Sequence, residues 1–336
     1  MGFPPSSFYF FISLLMGIFI SISSSSWFGA WTGLELNMMS FIPLITIQMN
    51  SYLSESALKY FLIQALGSTF FIMSSCMFLS FTQVSSSLLL VSLLLKLGSA
   101  PFHFWFPQVM SGLTWLQVMI LMTLQKIAPM FLISYISSTF SNLNKIIYLS
   151  TILSAIMGAL GGLNMMNLRK MMAFSSINHM SWMLISVVIS DSLWVIYFIF
   201  YSIISSSIVI LFNMFQTFTL SDFMKSSQIS MPIHSLLMSL NFLSLGGLPP
   251  FTGFIPKWML TQLLINNNLL VPLIFLLSSA LITLYFYIRI SIFLFFFTKP
   301  SSATNMKLNM PLYFLPGSLL FFNFLMLFLP LIFIFI

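Results

Sequence analysis

The sequence predicts an all-α polytopic membrane protein of about eleven transmembrane helices, built from two inverted five-helix repeats that each contain a discontinuous helix. Three observations lead there. First, 59% of the 336 residues are apolar and only 4% are charged, with a mean hydropathy of +1.07. A soluble domain carries about 25% charged residues, so most of this surface must face lipid. Second, apolar runs of roughly the 20 residues needed to cross a bilayer follow one another, separated by short polar joints. Third, two of these runs are interrupted in the same way by glycine and proline.

Taken in order, the expected spans are 5–24, 27–48, 55–81, 86–107, 111–137, 144–164, 169–190, 193–219, 232–265, 269–296 and 311–335. Residues 8–22 imitate a signal-peptide core. They have no basic region before them, and Ser23 to Ser26 offer no small-x-small cleavage site, so the first span reads as retained. The joints are Asn50-Ser51, Ser85 to Ser87, Ser138 to Asn144, Asn164 to Asn167, Asp191-Ser192 and Asn266 to Asn268. The ninth span, 232–265, would be about 51 Å long as one helix, too long for a core of about 30 Å unless tilted or broken.

The interruptions are Leu93 to Pro107 (LLLKLGSAPFHFWFP) and Leu245 to Trp258 (LGGLPPFTGFIPKW). Each has a Leu-Gly pair, then Pro-Phe, then a second proline six residues after the first, and each has a lysine at one edge, Lys96 or Lys257. Paired breaks at corresponding places in two halves point to an inverted-repeat transporter. They divide the chain into a first repeat at 1–138, a second at 139–297, and a loop with a final helix at 298–336.

Charge placement predicts orientation. Lys59, Arg169, Lys170, Lys225, Lys299 and Lys307 fall on the side of the N-terminus, and Lys145 on the other; Arg289 can snorkel to the first side. The positive-inside rule then puts the N-terminus inside. The net charge of +7 comes from eleven scattered Lys and Arg with no basic run, which argues against a nucleic-acid partner. The single cysteine, Cys76, excludes internal disulfides and a Cys-ligated iron–sulfur cluster in this chain. No GxGxxG or GxxxxGK[ST] pattern is present, and three isolated histidines argue against a haem or metal site.

Four ionisable residues lie deep in apolar spans: Glu35, Lys96, Lys126 and Lys257. A charge at mid-bilayer costs about 2.5–3.5 kcal/mol on insertion scales, so such residues mark ion pathways or buried structural pairs. Burial disfavours the charged form of either residue type, which lets lysines exchange protons near neutral pH. Pro129 loosens the backbone beside Lys126, and the two breaks free backbone groups that need water or side chains. His103, in the first break, and His179, in span seven, are candidate relays or hydrogen-bonded core residues. His234 and Cys76 read as structural or incidental.

Several long motifs now bear on family: residues 27–44 (WFGAWTGLELNMMSFIPL), SESALKYFLIQALGS, KLGSAPFHFWFP, LQKIAP, GGLNMMNLRKMMAFSSINHMSW and LSLGGLPPFTGFIPKW. Over roughly 27–182 and 240–290 they resemble the subunit 2 family of mitochondrial NADH dehydrogenase, the antiporter-like membrane subunits of respiratory complex I, with an arthropod vocabulary. The resemblance implies proton pumping coupled to NADH oxidation by ubiquinone. It also implies that NADH, FMN, the iron–sulfur clusters and ubiquinone bind in partner subunits, with no cofactor in this chain. Glu35, Lys96, Lys126 and Lys257 match the family's buried glutamate and three lysines; Leu124 stands where relatives commonly carry tryptophan. Expected partners are other membrane-arm and accessory subunits and phospholipids. The expected place is the mitochondrial inner membrane, N-terminus in the matrix. Two alternatives are a stand-alone Na⁺/H⁺ antiporter and a purely structural membrane subunit.

Overall fold

The computed structural model describes residues 5–47, 50–78, 80–222 and 232–297. Among them are thirteen α-helices and no β-strand. In chain order they are α1 (Pro5–Ser23), α2 (Trp27–Thr46), α3 (Ser51–Met77), α4 (Thr82–Leu97), α5 (Trp105–Gly112), α6 (Trp115–Met122) and α7 (Leu124–Thr139). After a short 3₁₀ turn (Ser141–Leu143) come α8 (Asn144–Gly162), α9 (Leu168–Ile189), α10 (Asp191–Phe215), α11 (Pro232–Gly246), α12 (Phe254–Asn266) and α13 (Leu270–Phe297). Among the described residues, six stretches are long and apolar enough to cross a membrane by length and composition: Ser51–Met77, Trp115–Thr139, Ser141–Gly162, Leu168–Ile189, Asp191–Phe215 and Leu270–Leu294. The expected span 311–335, with Lys225, Lys299 and Lys307 of the charge asymmetry, lies outside the described residues.

The two expected breaks fall at their glycine and proline interruptions, and one further span, expected whole, is also interrupted. The expected span 86–107 breaks within its interruption, ending one helix at Leu97 and restarting at Trp105, with Pro107 as the third residue of α5. Pro256 likewise stands third in α12. Proline is tolerated in a first helical turn, where its missing N–H has no partner to lose, so both prolines mark helix starts. The span expected as one helix over 111–137 is interrupted at Thr123, whose backbone (φ −113°, ψ −77°) separates α6 from α7. Thr123 Oγ1 donates to Met119 O at 2.7 Å, and Lys126 N bonds Thr123 O three residues back instead of four. Back-bonding of this kind bends helices.

Close helix pairs meet through glycine. A Cβ on Gly33 would stand 2.5 Å from Ser21 N, and one on Gly17 2.9 Å from Gly33 O, so α1 and α2 touch backbone to backbone. Gly158 does the same for α8 on α9, where a Cβ would lie 2.6 Å from Asn178 N. The α9 helix is central, with 83% of its apolar window buried against 33% for α3 and for α13. On α3, Leu58, Leu62, Leu66 and Met73 are exposed, an apolar outer face suited to lipid. At one end of the bundle the connections are tied together. Leu168 N and Leu220 N donate to Phe218 O and Met166 O (both 3.0 Å), Trp115 Nε1 donates to Thr217 O (3.0 Å), and Arg169 donates to Leu113 O (2.6 Å). The outer faces are therefore apolar while α9 carries its polar residues inward.

Candidate functional site: a buried row of charges

The first break shows how the sequence makes a stable end inside a bundle. At Gly98 the chain turns left-handed (φ +69°), a conformation glycine adopts without steric cost. That leaves the last carbonyls of α4 without helical partners. Neutral donors take them: Ser99 N and Oγ reach Leu94 O (both 3.2 Å), Trp105 Nε1 reaches Leu95 O (3.1 Å), and Gln64 Nε2 reaches Lys96 O (3.3 Å). The side chain of Lys96 is therefore not needed for capping. Its stem runs over Gly67, where a Cβ would meet its Cγ at 3.0 Å, and its Nζ sits 6.0 Å from the centre of the Phe71 ring.

The second break uses Gly247 (φ +80°), one residue past the Leu-Gly pair read from sequence. Lys257, on the first turn of α12, folds back and donates to Leu245 O (3.2 Å) and Gly246 O (2.9 Å). Both breaks thus bury a lysine, each 8% exposed, but only the second has its ammonium on the freed carbonyls.

Lys126 follows the Thr123 interruption and is 2% exposed. Its Nζ has no hydrogen-bond partner and stands 5.3 Å from the Phe106 ring centre and 5.1 Å from that of Tyr201. Between Lys96 and Lys126 lies a cavity of ≈ 20 Å³ whose polar lining is Asn37, Tyr60, Gln64, Gln125 and the two lysines. That is room for about one water. Tyr60 Oη donates to Gln125 Oε1 (3.2 Å), and Gln125 Nε2 donates to Asn37 Oδ1 (2.9 Å), so a hydrogen-bonded wall runs along it.

Beyond Lys126 the row continues through aromatic side chains. The Tyr201 ring, already beside Lys126, lies 5.1 Å from the His179 ring, and His179 Nδ1 is 2.9 Å from Tyr197 Oη. Electrostatically, His179 faces both Lys126 and Lys257. A second cavity, ≈ 10 Å³, is lined by His179, Tyr197 and Tyr201 and reaches Leu245, whose carbonyl holds Lys257. A larger hollow, ≈ 390 Å³ among Ser24 to Ser26, Tyr135 and Asp191, is lined by none of the buried lysines.

Glu35 is at the other end of the row. The carboxylate acts through space on Lys96 and on Tyr60, its Oε2 is buried without a hydrogen bond, and among the described residues it forms no ion pair with a lysine. Among the described residues the direct ion pair is the exposed Lys59–Glu55 at 2.6 Å. His103 stands apart: it is 3% exposed, its Nδ1 has no partner, and it does not line the cavity between Lys96 and Lys126. No group of three or more His, Cys, Asp or Glu that could hold a metal occurs among the described residues.

The sequence reading left out Asn37, Tyr60, Gln64, Gln125, Tyr197 and Tyr201. A signal was there. Tyr60 and Gln64, like Tyr197 and Tyr201, are polar pairs at i, i+4, on one helix face inside apolar runs; Asn37 and Gln125 lie two and one residues from Glu35 and Lys126.

Residues 24–283 match the family described as NADH:quinone oxidoreductase/Mrp antiporter, transmembrane. The chain is 46% identical over 309 residues to NADH-ubiquinone oxidoreductase chain 2 of Anopheles gambiae, covering 89% of each. It is 38% identical to that of Locusta migratoria, again over 89% of each. In fold it is similar to a chain of respiratory complex I from Thermus thermophilus, with TM-score 0.84, 21% identity, and coverage of 99% of this chain and 79% of that one. It is also similar to a chain of the Mrp complex from Dietzia sp. (TM-score 0.76, 14% identity, 88% and 61%). A glutamate, three buried lysines and two broken helices therefore stand in a chain that belongs to the NADH-ubiquinone oxidoreductase chain 2 family.

Proposed function

We propose that this chain is a proton-translocating membrane subunit of NADH:ubiquinone oxidoreductase in the mitochondrial inner membrane. Protons move laterally through Glu35, Lys96, Lys126, His179 and Lys257, driven by electron transfer in other subunits. NADH, flavin, iron–sulfur clusters and ubiquinone belong to those partners, and this chain supplies no redox group. The N-terminus lies in the matrix, and residues 1–138 and 139–297 act as two inverted repeats around the row. Partner membrane subunits and phospholipids cover the outer apolar faces.

One observation carries the reading: Lys126 is fully enclosed and unpaired, shares a small polar cavity with Lys96, and stands against Tyr201, which lines a second small cavity with His179. A buried charge without a partner is costly in a purely structural site. It is useful where the charge comes and goes. With Lys126 neutral, little electrostatic cost remains; a proton arriving from Lys96 creates a cation that the ring faces of Phe106 and Tyr201 stabilise only weakly. The proton is therefore passed on. Glu35 biases the first step, since its negative charge favours the cationic form of Lys96 and its neutralisation withdraws that support.

The test is Lys96→Met and Glu35→Gln in the assembled complex. Met keeps much of the apolar stem and removes the titrating group. Assembly and electron transfer to an artificial acceptor near the flavin should persist, while pumping and quinone-linked turnover fall. Normal proton-to-electron stoichiometry and turnover in both assembled variants would end the proposal.

A further inference from the structure

The two breaks are alike in sequence but are closed by different chemistry. Superposed on their left-handed glycines, Gly98 and Gly247, they also align Pro101 with Pro250 and Pro107 with Pro256. The carbonyl of Lys96 then corresponds to that of Leu245. Gln64, a neutral amide from α3, satisfies the first; the ammonium of Lys257 satisfies the second, together with Gly246 O. Trp105 Nε1 adds another neutral donor to the first break. Lys96 donates to no carbonyl of its own break in the structure, and its stem leaves over Gly67.

We propose that Lys257 is the positioning group of the second break: its charge caps the C-terminus of α11, so this break depends on that charge while the first does not depend on Lys96. A cation at a helix C-terminus interacts with the last carbonyls and with the negative end of the helix dipole. A charge-assisted hydrogen bond is about twice as strong as a neutral one. Two such bonds converge on one Nζ here, in a buried site where freed carbonyls have little access to water. Gly247 keeps the site open, since a Cβ there would stand 2.9 Å from Lys257 Cδ and 3.0 Å from Nζ. The chain also returns tightly, with Gly253 packed against the Ser244 carbonyl. The groups that face this site from other helices are His179 on α9, Tyr197 and Tyr201 on α10 and Tyr287 on α13; none brings a second fixed charge.

The consequence for pumping rests on the proposed translocation, whereas the cap itself does not. When the proton leaves Lys257, the junction between α11 and α12 loosens, and the cavity beside Leu245 and His179 can widen. The arrival of a charge closes it again. The first break, held by neutral donors, stays fixed through the same cycle and serves as an internal reference.

Hydrogen–deuterium exchange of the assembled complex tests this, comparing peptides over 243–254 with peptides over 94–106. Lys257→Met and Lys257→Gln should each raise exchange in the second break by about tenfold, and Lys257→Arg should restore protection. Lys96→Met should leave the first break unchanged. If neither neutral variant assembles while Lys257→Arg and Lys96→Met do, the dependence on charge stands by that route. Unchanged exchange over 243–254 in a neutral variant overturns the proposal. So does equal loosening of the first break by Lys96→Met, or failure of Lys257→Arg to assemble or to protect. Exchange and pumping fail separately: normal pumping in Lys96→Met would end the translocation reading and leave the cap, and unchanged exchange would do the reverse.

Discussion

Gln125→Leu isolates the link between Lys96 and Lys126. Gln125 cannot take up a proton at working pH, so a loss on its removal reports on the water and hydroxyl beside it. The change deletes two hydrogen bonds, from Tyr60 Oη (3.2 Å) and to Asn37 Oδ1 (2.9 Å), and leaves both partners facing a cavity of ≈ 20 Å³. Side-chain hydrogen bonds in membrane proteins are worth about 0.6 kcal/mol each, so the fold should lose about 1–2 kcal/mol and still assemble. The effect on the cavity is larger in relative terms. A buried water needs two to four polar partners, and an apolar wall removes one or two of them at about 1 kcal/mol each. Water occupancy, and with it the proton flux between the lysines, should fall about five- to thirtyfold. The assay is proton uptake in liposomes holding the assembled complex, with NADH oxidation by an artificial acceptor as the control. Gln125→Asn, shorter but polar, should recover part of the flux. Full pumping in Gln125→Leu would refute the reasoning.

Three further outcomes are expected. Gly158→Val should push α8 off α9, because its Cβ would stand 2.6 Å from Asn178 N; overpacking costs about 1–3 kcal/mol, and the bonds of Asn178 to Thr283 (3.3 Å) and Ser279 (3.0 Å) would stretch with it. Thermal melting of the assembled complex should therefore begin several degrees lower, and an unchanged melting profile would count against the close approach. Tyr197→Phe should keep assembly but impair pumping, since it removes the hydroxyl 2.9 Å from His179 Nδ1; equal pumping in wild type and variant would remove His179 from the route. Lys59→Met should change stability by less than about 0.5 kcal/mol and leave pumping intact, because the pair with Glu55 is exposed (43% and 62%); a large loss would mean that side carries a function unrelated to the buried row.

Much of the candidate site's placement could be read from residues alone, and the reason is physical. Glycine and proline act locally, so Leu-Gly and Pro-Phe marked both breaks, and a charge in an apolar run is conspicuous at any depth. The break at Thr123 was not legible in that way. A threonine is unremarkable in an apolar helix, and its Oγ1 bond to Met119 O is a choice of rotamer that composition does not record. Pro107 and Pro256 were visible but ambiguous, since proline ends one helix and opens another with equal ease. The roles of the two lysines were also hidden. Lys96 and Lys257 each edge a break in sequence, yet only tertiary contact gives one carbonyl set to Gln64 and Trp105 and the other to Lys257.

Lys126→Met offers the most direct measurement of proton translocation through the row. Lys126 is the enclosed, unpaired lysine beside Phe106 and Tyr201, and methionine fits most of its stem. In liposomes holding the assembled variant complex, protons moved per NADH oxidised by quinone should drop below the wild-type ratio, while oxidation with an artificial acceptor proceeds at the normal rate. A wild-type ratio at a wild-type turnover would contradict a proton route through these residues.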